Sequence, residues 1–192
     1  MSADVAAADA MLLAGIARGR ERDMADFYRL YYGRIYAFVL RRLRNAADAA
    51  EVANEVMLEV WRGAAGFEGR AKALTWVLGI ANHKTIDRMR RRGYDAAQEE
   101  LDPDELADER ESSDELLARL QQAEAVKRCL DRLSEAHRAV VHLAFFEDLG
   151  YEEIASILRC PEGTVKTRMF HAKKGLKRCL GESAAGGGGA ER

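Results

Sequence analysis

The sequence predicts an all-α protein: two small helical domains joined by an acidic flexible linker, the C-terminal one a helix-turn-helix. Three observations carry that prediction. Apolar residues recur at three- and four-residue spacing over long stretches, as in Phe27, Leu30, Tyr31, Ile35, Phe38, Val39 and Leu43. Only two prolines and 7% aromatic residues disfavour a β-sandwich. Between residues 95 and 115 a run of carboxylates has Arg110 as its sole counter-charge, which marks a break in composition. The expected boundaries are 1–94 for the first domain, 95–115 for the linker, 116–180 for the second domain and 181–192 for a disordered tail.

In chain order, the alanine-rich start is expected to fray, with a helix from near Asp9 through Met11, Leu12 and Ile16. Gly19 marks a polar turn. The next helix spans Met24 to Leu43, with Arg34, Arg41, Arg42 and Arg44 read as solvated. Asn45 to Ala47 interrupts the pattern, and a third helix starts at Ala47 or Asp48 and runs to about Trp61. It carries an apolar stripe, Val52, Val56 and Val60. Beside that lies a polar, acidic stripe, Glu51, Asn54, Glu55 and Glu59, suited either to solvent or to a basic protein surface.

A glycine-containing loop, Gly63 to Arg70, precedes one long helix over Lys72 to Arg92. Leu74, Val77, Leu78, Ala81 and Thr85 are expected to face inward. Trp76, Asn82, His83, Lys84, Asp87, Arg88, Arg90, Arg91 and Arg92 are left for the outside. Cations track phosphates, while flat rings and amides engage unpaired bases. Trp76 fits core packing equally well, the terminal arginines also suit a helix C-terminus, and a lone His83 does not make a metal site.

The acidic run that follows reads as a solvated spacer or as an anionic strand lying where nucleic acid would lie. Helical spacing returns with Leu117, Leu120, Ala123, Val126, Leu130 and Leu133. Ser134 and His137 sit at cap spacing ahead of a helix bearing Ala136, Val140, Leu143 and Phe146. After a turn at Glu147 to Gly150 comes a short helix, Tyr151 to Leu158, then a break containing Pro161 and Gly163. Thr164 is positioned to cap the final helix, whose stripe is Val165, Met169, Ala172, Leu176 and Leu180. Its other face holds Lys166, Arg168, His171, Lys173, Lys174, Lys177 and Arg178. A short helix, a tight turn and a basic second helix describe a helix-turn-helix whose second helix enters the major groove. A hairpin with a solvated basic face is the plainer alternative, and the turn and caps weigh against it.

Bulk properties narrow the function. Apolar residues make up 48% of 192, enough for packed cores. The net charge of −2 excludes a uniform polycation, so nucleic-acid affinity must come from local patches. Cys129, Cys160 and Cys179 are odd in number and lack C-x-x-C spacing, so neither a disulfide framework nor a zinc site is expected, and a reducing cytoplasm fits. No apolar run suits a membrane span, and no signal peptide is read at the N-terminus. No phosphate loop, metal cluster or Ser/His/Asp grouping appears, so neither enzymatic activity nor a cofactor is expected.

The layout resembles the extracytoplasmic-function class of bacterial RNA polymerase sigma factors, from about Ala25 to Leu180. DAAEVANEVMLEVWRGAAGF is similar to that family's polymerase-binding helix, and LTWVLGIANHKTIDRMRRR to its promoter-melting helix. LSEAHRAVVHLAFFEDLGYEEIASILRCPEGTVKTRMFHAKKGLKR resembles its −35 domain. The resemblance implies that Asp48, Glu51, Asn54, Glu55 and Glu59 meet the polymerase β′ clamp, and that the second domain meets the β flap. It implies that Trp76, Asn82, Lys84, Arg88 and Arg91 serve the −10 element, Asn82 holding a flipped non-template base. Thr164, Lys166, Thr167, Arg168, His171 and Lys174 are implied at the −35 element. An anti-sigma factor is an implied partner. Departures are Asn54, where the family usually has Gln, Ala49–Ala50 in place of a more acidic run, Ala144, and His171 in place of Arg. A stand-alone helix-turn-helix regulator is the alternative, but it needs a strand-containing sensing domain that the first 95 residues do not suggest.

Overall fold

The computed structural model describes residues 2–92 and 123–186, and side chains within 7–92 and 123–181. The acidic run at 95–115 and the final residues of the tail lie outside the described residues. Helices are α1 (Ser2–Ala17), α2 (Glu21–Leu43), α3 (Ala46–Gly63), α4 (Ala73–Arg91), α5 (helical over 123–131), α6 (Glu135–Phe145), α7 (Tyr151–Leu158) and α8 (Glu162–Gly186). A single 3-10 turn, Ala64–Gly66, follows α3, and there is no strand among the described residues.

The described chain forms two compact units. The first contains α1 to α4 together with Glu152–Cys160, and the second contains the described residues from 123 to 151 and from Pro161 onward. In the first unit α2 is the central element, packing against α1, α3 and α4. Phe27, Ile35, Phe38, Val39 and Leu43 are completely buried along one face of α2, at about 1.5–3 kcal/mol for each large side chain. Val52, Val56 and Val60 of α3 and Val77, Leu78 and Ala81 of α4 close the core, as their spacing predicts. Leu13 and Ile16 anchor α1. That helix starts at Ser2 rather than near Asp9, because alanine favours helix strongly enough to extend it. Tyr31 and Asp9 hydrogen-bond between α2 and α1, and burial raises the Tyr31 pKa.

Helix starts and stops depend on contacts that composition does not announce. Asn45 caps α3 by accepting a hydrogen bond from the Asp48 amide at 2.9 Å. Ser134 caps α6 as expected, accepting from the His137 amide at 3.4 Å. The α7–α8 turn differs from the sequence reading. Its left-handed residue is Arg159 (φ 51), whereas Gly163 lies inside α8. Pro161 contributes its carbonyl to the amides of Thr164 and Val165, so α8 opens at Glu162 and Thr164 sits within the first turn instead of capping it. At its other end α8 continues to Gly186, past the expected stop at Gly181, because Ser183 to Ala185 offers no breaker.

The second unit overturns the expectation for its cysteines. Cys129 of α5 and Cys179 of α8 form a disulfide, with Cα atoms 5.7 Å apart and 50 residues between them in sequence. Both are buried, and Cys160 takes no part in a disulfide. Counting cysteines could not reveal the pair, because helix packing brings together residues distant in the chain. With it goes the argument from cysteine usage for a reducing compartment. The α6–α8 packing uses Val140, Leu143, Val165, Met169 and Ala172, all buried. Cys179 replaces Leu176 and Leu180 as the buried C-terminal member of the α8 stripe, since both leucines are half-buried. No helix among the described residues is long and apolar enough to cross a membrane.

Candidate nucleic-acid interface

Helix α4 and helix α8 carry the residues expected at DNA. On α4, seven of the nine side chains read as facing outward fall into three groups. His83, Arg90, Arg91 and Arg92 are exposed. Trp76 is half-buried, its ring meeting Phe67 of the preceding loop edge to face with centroids 5.4 Å apart. The third group is already engaged. Lys84 lies 3.2 Å from Glu59, and Arg88 donates to Asp48 at 2.9 Å, Glu51 at 2.6 Å and Glu55 at 3.1 Å. Arg92 also pairs with Asp48. The Arg88 pKa is raised, first by its hydrogen bond to Glu51, with the charges of Glu51 and Asp48 reinforcing it against desolvation.

The acidic stripe of α3 therefore has two populations. Glu51, Glu55 and Glu59 keep side-chain exposures of 67%, 44% and 50%, and Asn54 is exposed, so these can still meet another protein. Asp48 is only 2% exposed. It lies beneath the exposed stripe rather than on it, and holds Arg88 and Arg92 against the start of α3. An ionised carboxylate at that depth requires such partners.

Asn82 also departs from expectation. It is 2% exposed rather than outward-facing. Its Oδ1 accepts from Arg42 Nη1 at 2.5 Å, and its Nδ2 donates to the Ile157 carbonyl at 2.9 Å. Arg42, read as solvated, is buried and lies over the Phe38 ring at 5.3 Å. Helical spacing put Asn82 off the apolar stripe, but α2 and residues 152–160 enclose that side of α4 as well. Arg42 and Glu153 are functional candidates that the sequence did not single out. A cation amid the apolar pattern of α2 was the available signal for Arg42.

On α8 the expected face is largely accessible. Lys166, Thr167, His171 and Lys174 are exposed, Thr164 and Arg168 are half-buried. Lys166 pairs with Glu162 one turn earlier at 2.7 Å, which raises its pKa first through that hydrogen bond. Thr167 donates its hydroxyl to the Gly163 carbonyl at 3.0 Å. The sequence reading does not place two further residues at this face. His137 at the start of α6 stacks on His171 with centroids 6.1 Å apart. Phe170, 64% exposed, meets His171 edge to face at 5.4 Å. An aromatic residue standing off the apolar stripe was the clue to Phe170. Among the described residues no group of His, Cys, Asp and Glu could hold a metal ion.

Comparison with known proteins assigns these two regions. Residues 27–94 match the family model Sigma-70 region 2, and residues 123–176 match Sigma-70, region 4. The fold and its two basic helices thus define a sigma-70-type transcription initiation factor. The chain is 34% identical over 181 residues to the ECF RNA polymerase sigma factor SigK of Mycobacterium ulcerans (strain Agy99), covering 90% of this chain and 93% of that protein. It is 31% identical to SigK of Mycolicibacterium vanbaalenii, covering 88% of each. The chain belongs to the ECF family of RNA polymerase sigma factors and is an alternative sigma factor. Two solved structures share its fold. One is the sigma factor RpoE with the anti-sigma factor NepR from Bartonella quintana, with TM-score 0.67 and 21% identity over 83% of this chain and 97% of that one. The other is CnrH with the cytosolic domain of CnrY, with TM-score 0.64 and 22% identity over 91% of this chain and 98% of that one.

Proposed function

We propose that this chain binds core RNA polymerase through the exposed α3 stripe (Glu51, Asn54, Glu55, Glu59) and directs it to promoters by reading a −35 element with α8 and opening a −10 element with α4. The observation that carries the reading is the division of α8 into two faces. Val165, Met169 and Ala172 are buried, while Lys166, Thr167, His171 and Lys174 are exposed around the other side. Such a helix can lie in a major groove with cations on phosphates and side chains on base edges. On α4, Trp76 and Arg91 supply an accessible ring and cation. Arg88 acts by fixing α4 rather than by touching phosphate, because three carboxylates hold it. Asn82 serves the flipped base once its hydrogen bond to the Ile157 carbonyl is broken. The work is binding rather than bond-making, in the cytoplasm where the polymerase operates.

Run-off transcription with purified core polymerase on a genomic promoter library tests this. Discrete start sites that depend on the added chain, and that share elements near −35 and −10, are expected. Absence of any chain-dependent start would overturn the reading. Control by an anti-sigma factor is the associated proposal, supported by the solved structure of this fold in which the sigma factor RpoE is in complex with the anti-sigma factor NepR. The test is co-purification of a partner that suppresses those same start sites when added back.

A further inference from the structure

Region 4 by sequence match includes residues 152–160, yet this segment belongs to the first compact unit. Its attachment to α4 is specific. Glu153 receives the Lys72 ammonium at 3.1 Å and the Thr75 hydroxyl at 3.2 Å, both on the same carboxylate oxygen. About two turns beyond Thr75 along α4, Asn82 Nδ2 donates to the carbonyl of Ile157 at 2.9 Å. Ile157 lies in the last turn of α7, where carbonyls have no partner within the helix. Asn82 satisfies one such group, and Arg42 holds the carboxamide so that its NH₂ faces that carbonyl.

We propose that the α4 surface formed by Lys72, Thr75 and Asn82 is a docking site for α7 of the same chain, and that α7 and the unpaired promoter base compete for it. The inference rests on the −10 reading of Asn82 given above. The chemistry of the two occupants is alike: each presents an sp² oxygen or nitrogen acceptor to the Asn82 amide. Each also presents negative charge, carboxylate or phosphate, near Lys72. While α7 is docked, Asn82 has both its oxygen and one of its N–H groups committed in a buried setting. A base enters only after α7 departs, so the isolated chain is closed to single-stranded promoter DNA.

Two measurements on the full-length chain test the proposal. A zero-length carbodiimide reagent should join Lys72 to Glu153, with Lys84–Glu59, at 3.2 Å, as the internal control. Control cross-linking without the Lys72–Glu153 product would overturn the docking. The second measurement is affinity for a single-stranded oligonucleotide carrying the non-template −10 bases of a promoter this chain uses. Lys72→Glu repels Glu153 and should bind about tenfold tighter, the factor expected if roughly one molecule in ten is open before the change. This occurs despite the lost positive charge. Adding Glu153→Lys should re-form the pair and return the affinity to that of the native chain. Affinity of Lys72→Glu equal to or below the native value would overturn the competition. If Asn82→Ala in the Lys72→Glu chain leaves DNA binding unchanged, competition at Asn82 falls together with its −10 role. An intact Lys72–Glu153 cross-link would then place the failure in that role rather than in the docking.

Discussion

Helices α4 and α8 carry similar cations but hold them differently. The basic side of α4 is drawn onto the acidic stripe of α3, and Arg88 retains only 15% side-chain exposure among three carboxylates. The Lys166 ammonium of α8, 60% exposed, pairs within its own helix. What fastens α8 to its unit lies on the opposite side, in the buried stripe and the Cys129–Cys179 disulfide. A count of lysines and arginines therefore says little about which helix presents charge to a phosphate. The deciding factor is the neighbouring element. Where that neighbour is acidic, cations become part of the scaffold. Where it is apolar or covalently joined, they remain on the surface.

The largest effect should come from removing the covalent fastening. Closing a loop between residues 50 apart restricts the unfolded chain, and reducing the disulfide or introducing Cys179→Ser should lower the stability of the second unit by about 4 kcal/mol. Urea unfolding followed by circular dichroism, with and without reductant, measures it. An unmoved transition would mean that apolar packing alone holds α8. The corresponding change in the first unit is Asp48→Ala, which leaves Arg88 and Arg92 without their buried partner. A fully buried pair broken this way costs about 3–5 kcal/mol, and the partly exposed arginines put this one at about 3 kcal/mol, read from the same unfolding curves.

Next in size is the accessible face. Arg168→Ala or Lys174→Ala should weaken −35-dependent initiation by about 1–3 kcal/mol if the side chain reads a base edge, and less if it touches only phosphate. Salt titration of promoter binding separates the two, since a lost phosphate contact reduces the salt slope. On the paired face, Glu51→Gln should cost less than about 1 kcal/mol of stability, because Glu51 is largely exposed and Arg88 keeps Asp48 and Glu55. If polymerase binding falls much more than stability does, Glu51 has the interface role proposed for it.

The smallest effect is a pH dependence confined to the second unit. The His137 pKa lies below its ordinary 6.5, chiefly because burial disfavours the imidazolium, with His171 and Arg168 adding repulsion. The unfolded chain then takes up the proton more readily than the folded one. Stability contributed by neutral His137 is present above pH 6.5 and declines as pH falls toward the depressed value. His137→Gln should flatten that slope in unfolding experiments run across the window, and an unchanged slope would assign it to another group.

Periodicity was enough to locate α2, α3, α4, α6 and α7 within a few residues, because an apolar stripe at helical spacing has one good use: burial against a neighbouring element. The same logic identified the cationic face of α8, whose accessible side is simply the complement of its stripe. The resemblance to sigma factors, carried by motifs in a fixed order, was likewise legible in the chain. Tertiary structure alone decided what became of polar residues at the stripe edges. Asn82 and Asp48 went inside, Arg42 followed Asn82, and Arg88 was shared among carboxylates of another helix. Cys129 and Cys179 met across 50 residues. Local sequence sets which way a residue points around its own helix axis, whereas burial and pairing depend on what the rest of the chain brings to that side.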